Sequence, residues 1–123
     1  MGTFEVNARI FSTDNSAQEQ ATMLVDTGAT FSLLPASVLR RLGVHEQASI
    51  EVEYATGQMG TVPMGLALMQ IEGFTERLPI LVLFGEEGAR PLLGAHALEA
   101  FRLVVDPIAH ELRPRRALLM RAQ

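Results

Sequence analysis

The sequence predicts an all-β domain: a closed or nearly closed β-barrel carrying one or two short helices. Three observations predict it. Apolar residues recur mostly at period two in short segments, the chain reverses about every ten residues at clusters of Gly, Pro, Asn, Asp and Ser, and only two brief stretches carry helical spacing. A length of 123 residues fits one core, so residues 1–123 are expected to form a single domain.

Phe4 to Phe11 alternates loosely, and the polar Ser12-Thr13-Asp14-Asn15-Ser16 separates it from a second strand, Ala21 to Val25. This predicts a hairpin. Phe31-Ser32-Leu33-Leu34 is a short strand; Pro35 suits the first turn of a helix through Ala36 to Leu42, which Gly43 can end, and Leu34, Val38 and Leu42 share a face. Then the period changes. Ile50, Val52 and Tyr54 alternate with Ser49, Glu51 and Glu53, giving a half-buried strand that reverses at Ala55-Thr56-Gly57-Gln58-Met59-Gly60 and returns as Thr61 to Ile71. Two glycines at this reversal predict a primed turn with Gly57 in the first central position, at an exposed and mobile tip.

Glu72-Gly73-Phe74 turns the chain again, and Leu78 to Phe84 is an almost continuous apolar run suited to burial on both faces. Gly85-Glu86-Glu87-Gly88 is a loop. Beyond Leu92-Leu93-Gly94, Ala95 to Phe101 has good helix formers; Leu103-Val104-Val105 is a strand, Asp106-Pro107 a turn, and the remainder one or two more strands.

One stretch stands apart. Met23-Leu24-Val25 is a strand end built for burial, yet it runs straight into Asp26-Thr27-Gly28-Ala29-Thr30. A carboxylate there loses hydration that only dense hydrogen bonding can offset. Two explanations are open: Asp26 caps a tight turn before a glycine that supplies the unusual backbone, or it is a catalytic acid. By average composition, an Asp-Thr-Gly triplet arises by chance in a chain this long only a few per cent of the time, roughly.

Several function classes are excluded. There is no cysteine, so disulfide scaffolds, thiol catalysis and cysteine zinc sites are absent. His45, His96 and His110 are separated by 51 and 14 residues with no metal-ligand spacing, so no metal is expected, nor any other cofactor. The Gly85 to Gly88 loop lacks the lysine and hydroxyl of a phosphate loop, and no serine stands in a nucleophile elbow. A net charge of −4 argues against nucleic acid; the arginines at 113, 115, 116 and 121 read as a solvated basic end. The start, Met1-Gly2-Thr3-Phe4-Glu5-Val6, lacks the regions of a signal peptide, and the longest apolar run, Leu78 to Phe84, is far below the ~18 residues a membrane span needs. A cytoplasmic protein without a membrane partner is expected.

Leu24-Val25-Asp26-Thr27-Gly28-Ala29-Thr30, with Leu92-Leu93-Gly94 following so that Gly28 and Gly94 lie 66 residues apart, resembles the signature pair of the retropepsin-like aspartic proteases. Leu83 to Ala95, Val105-Asp106-Pro107 and the tail Ala117-Leu118-Leu119-Met120 extend the likeness to the short stand-alone prokaryotic members. The resemblance implies a retropepsin-like barrel, one lobe per chain, hydrolysing peptide bonds. That chemistry takes two carboxylates, and this chain has one Asp-Thr-Gly; Asp14 and Asp106, its other aspartates, lie in no second copy of the motif. The expected active form is therefore a homodimer with an Asp26 from each chain on a two-fold axis.

By the same resemblance, Asp26, Thr27 and Gly28 form the catalytic turn, with the Thr27 hydroxyl gripping the other chain's loop. Ala29 and Thr30 meet substrate, and the hairpin tip from Ala55 through Thr56, Gly57, Gln58 and Met59 to Gly60 is the flap that closes over it, with Tyr54 and Met59 as possible subsite walls. Leu92, Leu93 and Gly94 support the turn from behind. Thr30 departs from the Asp of many retroviral enzymes and the Ser of two-domain enzymes, so the resemblance does not carry substrate-end binding to that position. A different class stays open: the same barrel as a dimeric peptide-binding module, since fold does not fix function. An unrelated small ligand-binding barrel is the third.

Overall fold

A computed structural model describes residues 3–116; Met1, Gly2 and the tail Ala117 to Gln123, with any strand expected there, lie outside the described residues. Among the described residues nine strands and two short helices follow in the order β1 (Glu5–Phe11), β2 (Gln18–Val25), β3 (Ser32–Pro35), α1 (Ala36–Arg41), β4 (Glu46–Glu53), β5 (Met59–Ile71), β6 (Arg77–Gly85), β7 (Leu92–Leu93), α2 (Ala95–Ala100), β8 (Leu103–Asp106) and β9 (Glu111–Pro114). The fold is all-β, as the periodicity predicts. Strand boundaries move outward where backbone pairing outlasts the apolar pattern: β2 starts at Gln18 and β4 at Glu46, both in polar sequence.

Seven strands form one sheet in the order β1-β2-β7-β3-β6-β5-β4, and a further antiparallel pairing of β1 with β5, Ala8 opposite Ile71 to Phe11 opposite Leu68, closes six of them into a ring. β5 makes this possible. It is 13 residues long and pairs with β4 through Met59 to Gly65, with β6 through Met64 to Gln70, and with β1 at its end. The β4–β5 hairpin thus projects beyond the ring. β8 and β9 make a separate two-stranded sheet.

Alternation along each strand fills the ring. Ile10 of β1, Met23 of β2, Leu34 of β3, Met69 and Ile71 of β5, Ile80 and Val82 of β6 and Leu93 of β7 are almost wholly buried. Of the run Leu78 to Phe84 expected to be buried on both faces, only Val82 onward is buried at every position, because Leu78 and Leu81 are half-buried and Pro79 is exposed. Leu39 of α1 is the fully buried residue of that helix, between Leu34 and Leu42, while Val38 is only half-buried. α1 does not take Pro35 into its first turn. Pro35 keeps an extended backbone, φ −56° and ψ 138°, as the last residue of β3 and the cap of the helix. At the other end Gly43 (φ +77°) donates to Arg40 O and Val44 to Leu39 O, a paired C-terminal cap whose Val44 and Leu39 are both buried.

The β1–β2 turn is held by one carboxylate. Asp14 Oδ1 accepts from Ser12 Oγ, Ser16 N and Ser16 Oγ, and the Ser16 and Ser12 bonds lower its pKa from 3.8 to about 2. A depressed folded-state value stabilises above the unfolded pKa and is lost as pH falls through the folded one. Denaturant midpoints are therefore expected to fall between about pH 4 and pH 2 by a smaller amount in Asp14→Asn than in the parent.

Candidate active site

The strand order forces the acidic turn into place. β2 and β3 are consecutive in sequence but do not pair; β7 lies between them, parallel to β2 (Leu24 with Leu92, Val25 with Leu93) and antiparallel to β3 at Leu33. The segment Asp26 to Phe31 must therefore bridge across the end of β7, and four bonds fix it there. Asp26 N donates to Leu93 O at 3.0 Å, Ala95 N to Ala29 O at 2.8 Å, His96 N to Thr30 O at 3.0 Å, and Gly94 N to the buried Ser32 Oγ at 3.1 Å. Both flanks of the turn are anchored to Leu92-Leu93-Gly94-Ala95-His96.

Gly94 is there because nothing larger fits. A Cβ on it would stand 2.6 Å from Phe31 O and 2.8 Å from Ala29 O, both backbone. The turn and the β7–α2 junction thus touch main chain to main chain.

Within the turn, Ala29 N donates to Asp26 O at 3.2 Å and Gly28 N to Asp26 Oδ1 at 3.0 Å. The carboxylate both closes its own turn and is aimed by it, so the two explanations open for Asp26 are compatible. Asp26 is half-buried, less enclosed than its apolar strand end predicts, and Thr27, Gly28 and Thr30 are exposed. Among the described residues Asp26 Oδ2 has no hydrogen-bond partner and neither has the Thr27 hydroxyl. One oxygen is fixed by the turn while the other carries no partner among the described residues.

Beside the turn opens a cavity of about 530 Å³. Gly28, Ala29, Thr30 and Phe31 form one wall, Ile50 to Glu53 of β4, Tyr54 just beyond it and Val62 of β5 another, and Leu33, Leu83 to Glu86, Ala89 and Leu92 complete the lining. Register explains the apolar wall on the β4 side. Ile50 lies opposite Val62 and Val52 opposite Gly60, so Ile50, Val52, Tyr54, Gly60 and Val62 share a face. The Tyr54 ring covers Gly60 so closely that a Cβ there would be 2.8 Å from it.

The hairpin tip differs from the expectation. Gly57 N donates to Tyr54 O and Tyr54 N to Gln58 O, both at 2.8 Å, and Gly57 has φ +91° while Ala55 and Thr56 do not have positive φ. The tip is therefore an unprimed turn with Ala55 and Thr56 as central residues, closed by a left-handed glycine, because only Gly57 tolerates that backbone. Met59 and Gly60 belong to β5. Ala55, Thr56, Gly57, Gln58 and Met59 are exposed and, with Gly60, do not line the cavity; Met59 pairs with Glu53 on the opposite face from Tyr54. Tyr54 lines it and Met59 does not.

Gly28, Ala29, Thr30 and Tyr54, named from the sequence, line the cavity, but sequence reasoning missed the rest of its walls. Ile50, Val52 and Val62 carry the same signal as core residues, period-two alternation, and only the projecting hairpin reveals that they face a cleft. Glu86 gave no signal at all. No group of three or more His, Cys, Asp or Glu suited to a metal occurs among the described residues, and no helix is long and apolar enough to cross a membrane. His96 tilts against Phe31 with ring centroids 5.7 Å apart, and His110 stacks on Phe4 at 5.8 Å.

Comparisons with known proteins agree with this geometry. Residues 15–100, more than half of the chain, match the family model described as "gag-polyprotein putative aspartyl protease". Among curated proteins none matches the chain by sequence. Solved structures of similar fold include the retroviral protease-like domain of Ddi1 from Leishmania major (TM-score 0.58, 15% identity, covering 95% of this chain and 91% of that one). A retropepsin-like aspartic protease from Rickettsia conorii aligns with TM-score 0.52 and 21% identity over 85% of this chain and 77% of its own. The EIAV protease complexed with the inhibitor HBY-793 aligns with TM-score 0.52 and 17% identity over 80% and 88%.

Gly94→Ala is expected to destabilise the folded chain by about 1–3 kcal/mol, because the clash is with backbone that cannot rotate away. Urea unfolding of parent and variant measures it.

Proposed function

We propose a function from a premise that the family match establishes: the chain belongs to the gag-polyprotein aspartyl protease family, the retropepsin-like aspartic proteases. It is an aspartic endopeptidase that acts as a homodimer, with a water activated between two Asp26 carboxylates, one from each chain. The observation that carries this is Asp26 itself. Its backbone is fixed to Leu93, one carboxylate oxygen is held by Gly28 N, the other has no partner among the described residues, and Gly28 of the same turn lines a 530 Å³ cleft.

One carboxylate per chain is half of the chemistry. Peptide hydrolysis without a nucleophilic side chain needs a base for water and an acid for the leaving nitrogen. Two carboxylates on a symmetry axis share one proton because both cannot ionise cheaply together. The ionised Asp26 takes a proton from water while the protonated one polarises the carbonyl, and the roles then exchange. Exposure of Thr27 and Gly28 supports pairing of this face with a second copy, Thr27 donating its hydroxyl to the partner's turn. Ala29 is small enough for the two turns to approach.

The substrate is a peptide or protein segment lying extended between the turn residues Ala29 and Thr30 and the flap, Ala55 through Thr56, Gly57, Gln58 and Met59 to Gly60, pairing backbone to backbone. Leu92, Leu93 and Gly94 hold the turn from behind. The assigned setting is the cytoplasm. A second use of the barrel, as a dimeric peptide-binding module, is favoured by one observation: residues 55–59 are exposed and stand clear of the cleft in the single chain.

Asp26→Asn is expected to lower kcat on a mixed peptide library by at least about 1000-fold, the order seen when a catalytic group is removed, while dimer mass is retained. Equal cleavage by a folded Asp26→Asn dimer would overturn the mechanism. A sound parent dimer that binds peptides and cuts none is a binding module instead.

A further inference from the structure

The cleft is one end of a longer apolar face. Along β5, Ala67, Met69 and Ile71 point into the ring and are wholly buried, so alternation turns Val62, Met64, Leu66 and Leu68 to the outer side. Register carries that side onto β6: Leu83 lies opposite Met64, Leu81 opposite Leu66 and Pro79 opposite Leu68. Val62 and Leu83 line the cavity, and the later pairs lead away from it over the outside of the barrel. The face ends at a polar pair, Gln70 opposite Arg77, whose guanidinium lies 3.7 Å from the centroid of the Phe11 ring.

The outer side of a barrel strand that faces water normally carries polar residues. On β1 and β2 it does, with Asn7 opposite Thr22 and Arg9 opposite Gln20. On β5 and β6 it does not: Leu66 is 46% exposed, Pro79 is exposed, and Met64, Leu68 and Leu81 are half-buried. A contiguous apolar surface with a polar rim marks a place where something docks. Its position says what. A cleft of about 530 Å³ is of the size that encloses a small ligand, so a longer peptide has to leave it. Because Val62 and Leu83 belong both to the cleft and to the outer face, a chain leaving on that side meets apolar surface with no polar side chain to cross until Gln70 and Arg77. A second copy seated there would obstruct the same exit.

We propose that the outer face of β5 and β6 is a docking site for a distal apolar residue of the peptide substrate, an aliphatic or aromatic side chain beyond the one seated in the cleft. This rests on the peptidase function proposed above. Leu66 and Leu81 lie two residues along their strands from Met64 and Leu83, roughly 7 Å at the rise of a β-strand, and Leu68 and Pro79 are about as far again. An extended peptide has the same rise, so the docked residue stands about two to four positions farther from the cleaved bond than the residue in the cleft. With no charged side chain on the face between Val62 and Gln70, selection is by apolar area alone. In the homodimer the arrangement repeats by symmetry, and the preferred substrate is apolar at such positions on both sides of the bond.

The test uses the full-length protein and two peptides that share one cleavable core and differ only at the distal positions, leucine in one and serine in the other. The parent's kcat/KM is expected to favour the leucine peptide by about three- to tenfold, chiefly through KM, and added salt leaves the ratio in place because the contact carries no charge. Leu66→Gln, a change at an exposed position, lowers the ratio toward one. A purely structural effect of that change would act on both peptides alike. A parent ratio near one, or a ratio unmoved by Leu66→Gln in a folded protein, overturns the proposal while the peptidase function stands. The chain has no cysteine, so an environment-sensitive fluorophore on Leu66→Cys reports this face alone. It is expected to read water in the free protein and an apolar setting once a leucine peptide with a reduced scissile bond is added. A fluorophore already in an apolar setting without peptide overturns the proposal; the occupant is then a second copy if the label lowers the assembly mass, and another part of the same chain if it does not. If the parent cuts neither peptide, the peptidase function fails, and the labelled protein with the same two peptides decides the docking site alone, an equal response to leucine and serine overturning it.

Discussion

The insertion of β7 between β2 and β3 is the constraint on which the rest of the molecule depends. Two strands adjacent in sequence are held apart by a third, so the residues joining them must cross over its end, and those residues are Asp26 to Phe31. The crossing leaves backbone groups that neither strand can satisfy. They are satisfied by the β7–α2 junction instead, through Ala95 N to Ala29 O, His96 N to Thr30 O, Asp26 N to Leu93 O and Gly94 N to Ser32 Oγ. Every donor in that set is main chain, so the position of Asp26 is fixed by topology rather than by the packing of its own side chain. Ser32 explains why a hydroxyl is tolerated at a wholly buried site: a buried N–H without a partner costs about 1–3 kcal/mol.

This also explains which parts of the molecule were legible in the sequence. Elements with a local cause could be read directly: the alternation of β1, the apolar second half of β6, the C-terminal cap at Gly43, the interruption of an apolar strand by Asp26. Gly94 could be placed behind the acidic turn by resemblance, though not the backbone atoms it approaches, Phe31 O and Ala29 O. Pairings between distant segments could not be read, because no residue in β1 announces that β5 will close the ring 60 residues later. The tip at Tyr54 to Gln58 was misjudged for a different reason. Two glycines in one reversal suggested a primed turn, but Gly60 is an ordinary strand residue kept small by the Tyr54 ring, and only Gly57 uses the backbone freedom of its type.

The cleft walls were hidden by a subtler degeneracy. Period-two apolar residues mean a face turned away from water, and that face can be a core or a binding site. Ile50 and Val52 are half-buried where Met69 and Ile71, on the same hairpin, are wholly buried. The difference comes from β5 outrunning the barrel: its second half is covered by β1 and β6, and its first half only by β4.

The same division sets the mechanical character of the two sides of the cleft. The turn side is bound by main-chain bonds to a junction whose Leu93 and Ala97 are fully buried, so displacing it means disturbing the core. The β4 side has its apolar face only half covered and its tip held by short local bonds, with residues 53–59 all exposed. Local opening free energy falls as buried apolar contact falls, so the hairpin is the element that moves and the turn the element that does not. For the peptidase proposed above, whose site would admit an extended chain and then exclude water from two carboxylates, rigidity belongs with the acids and mobility with the cover. The projecting first half of β5 supplies that asymmetry in a barrel otherwise closed on itself.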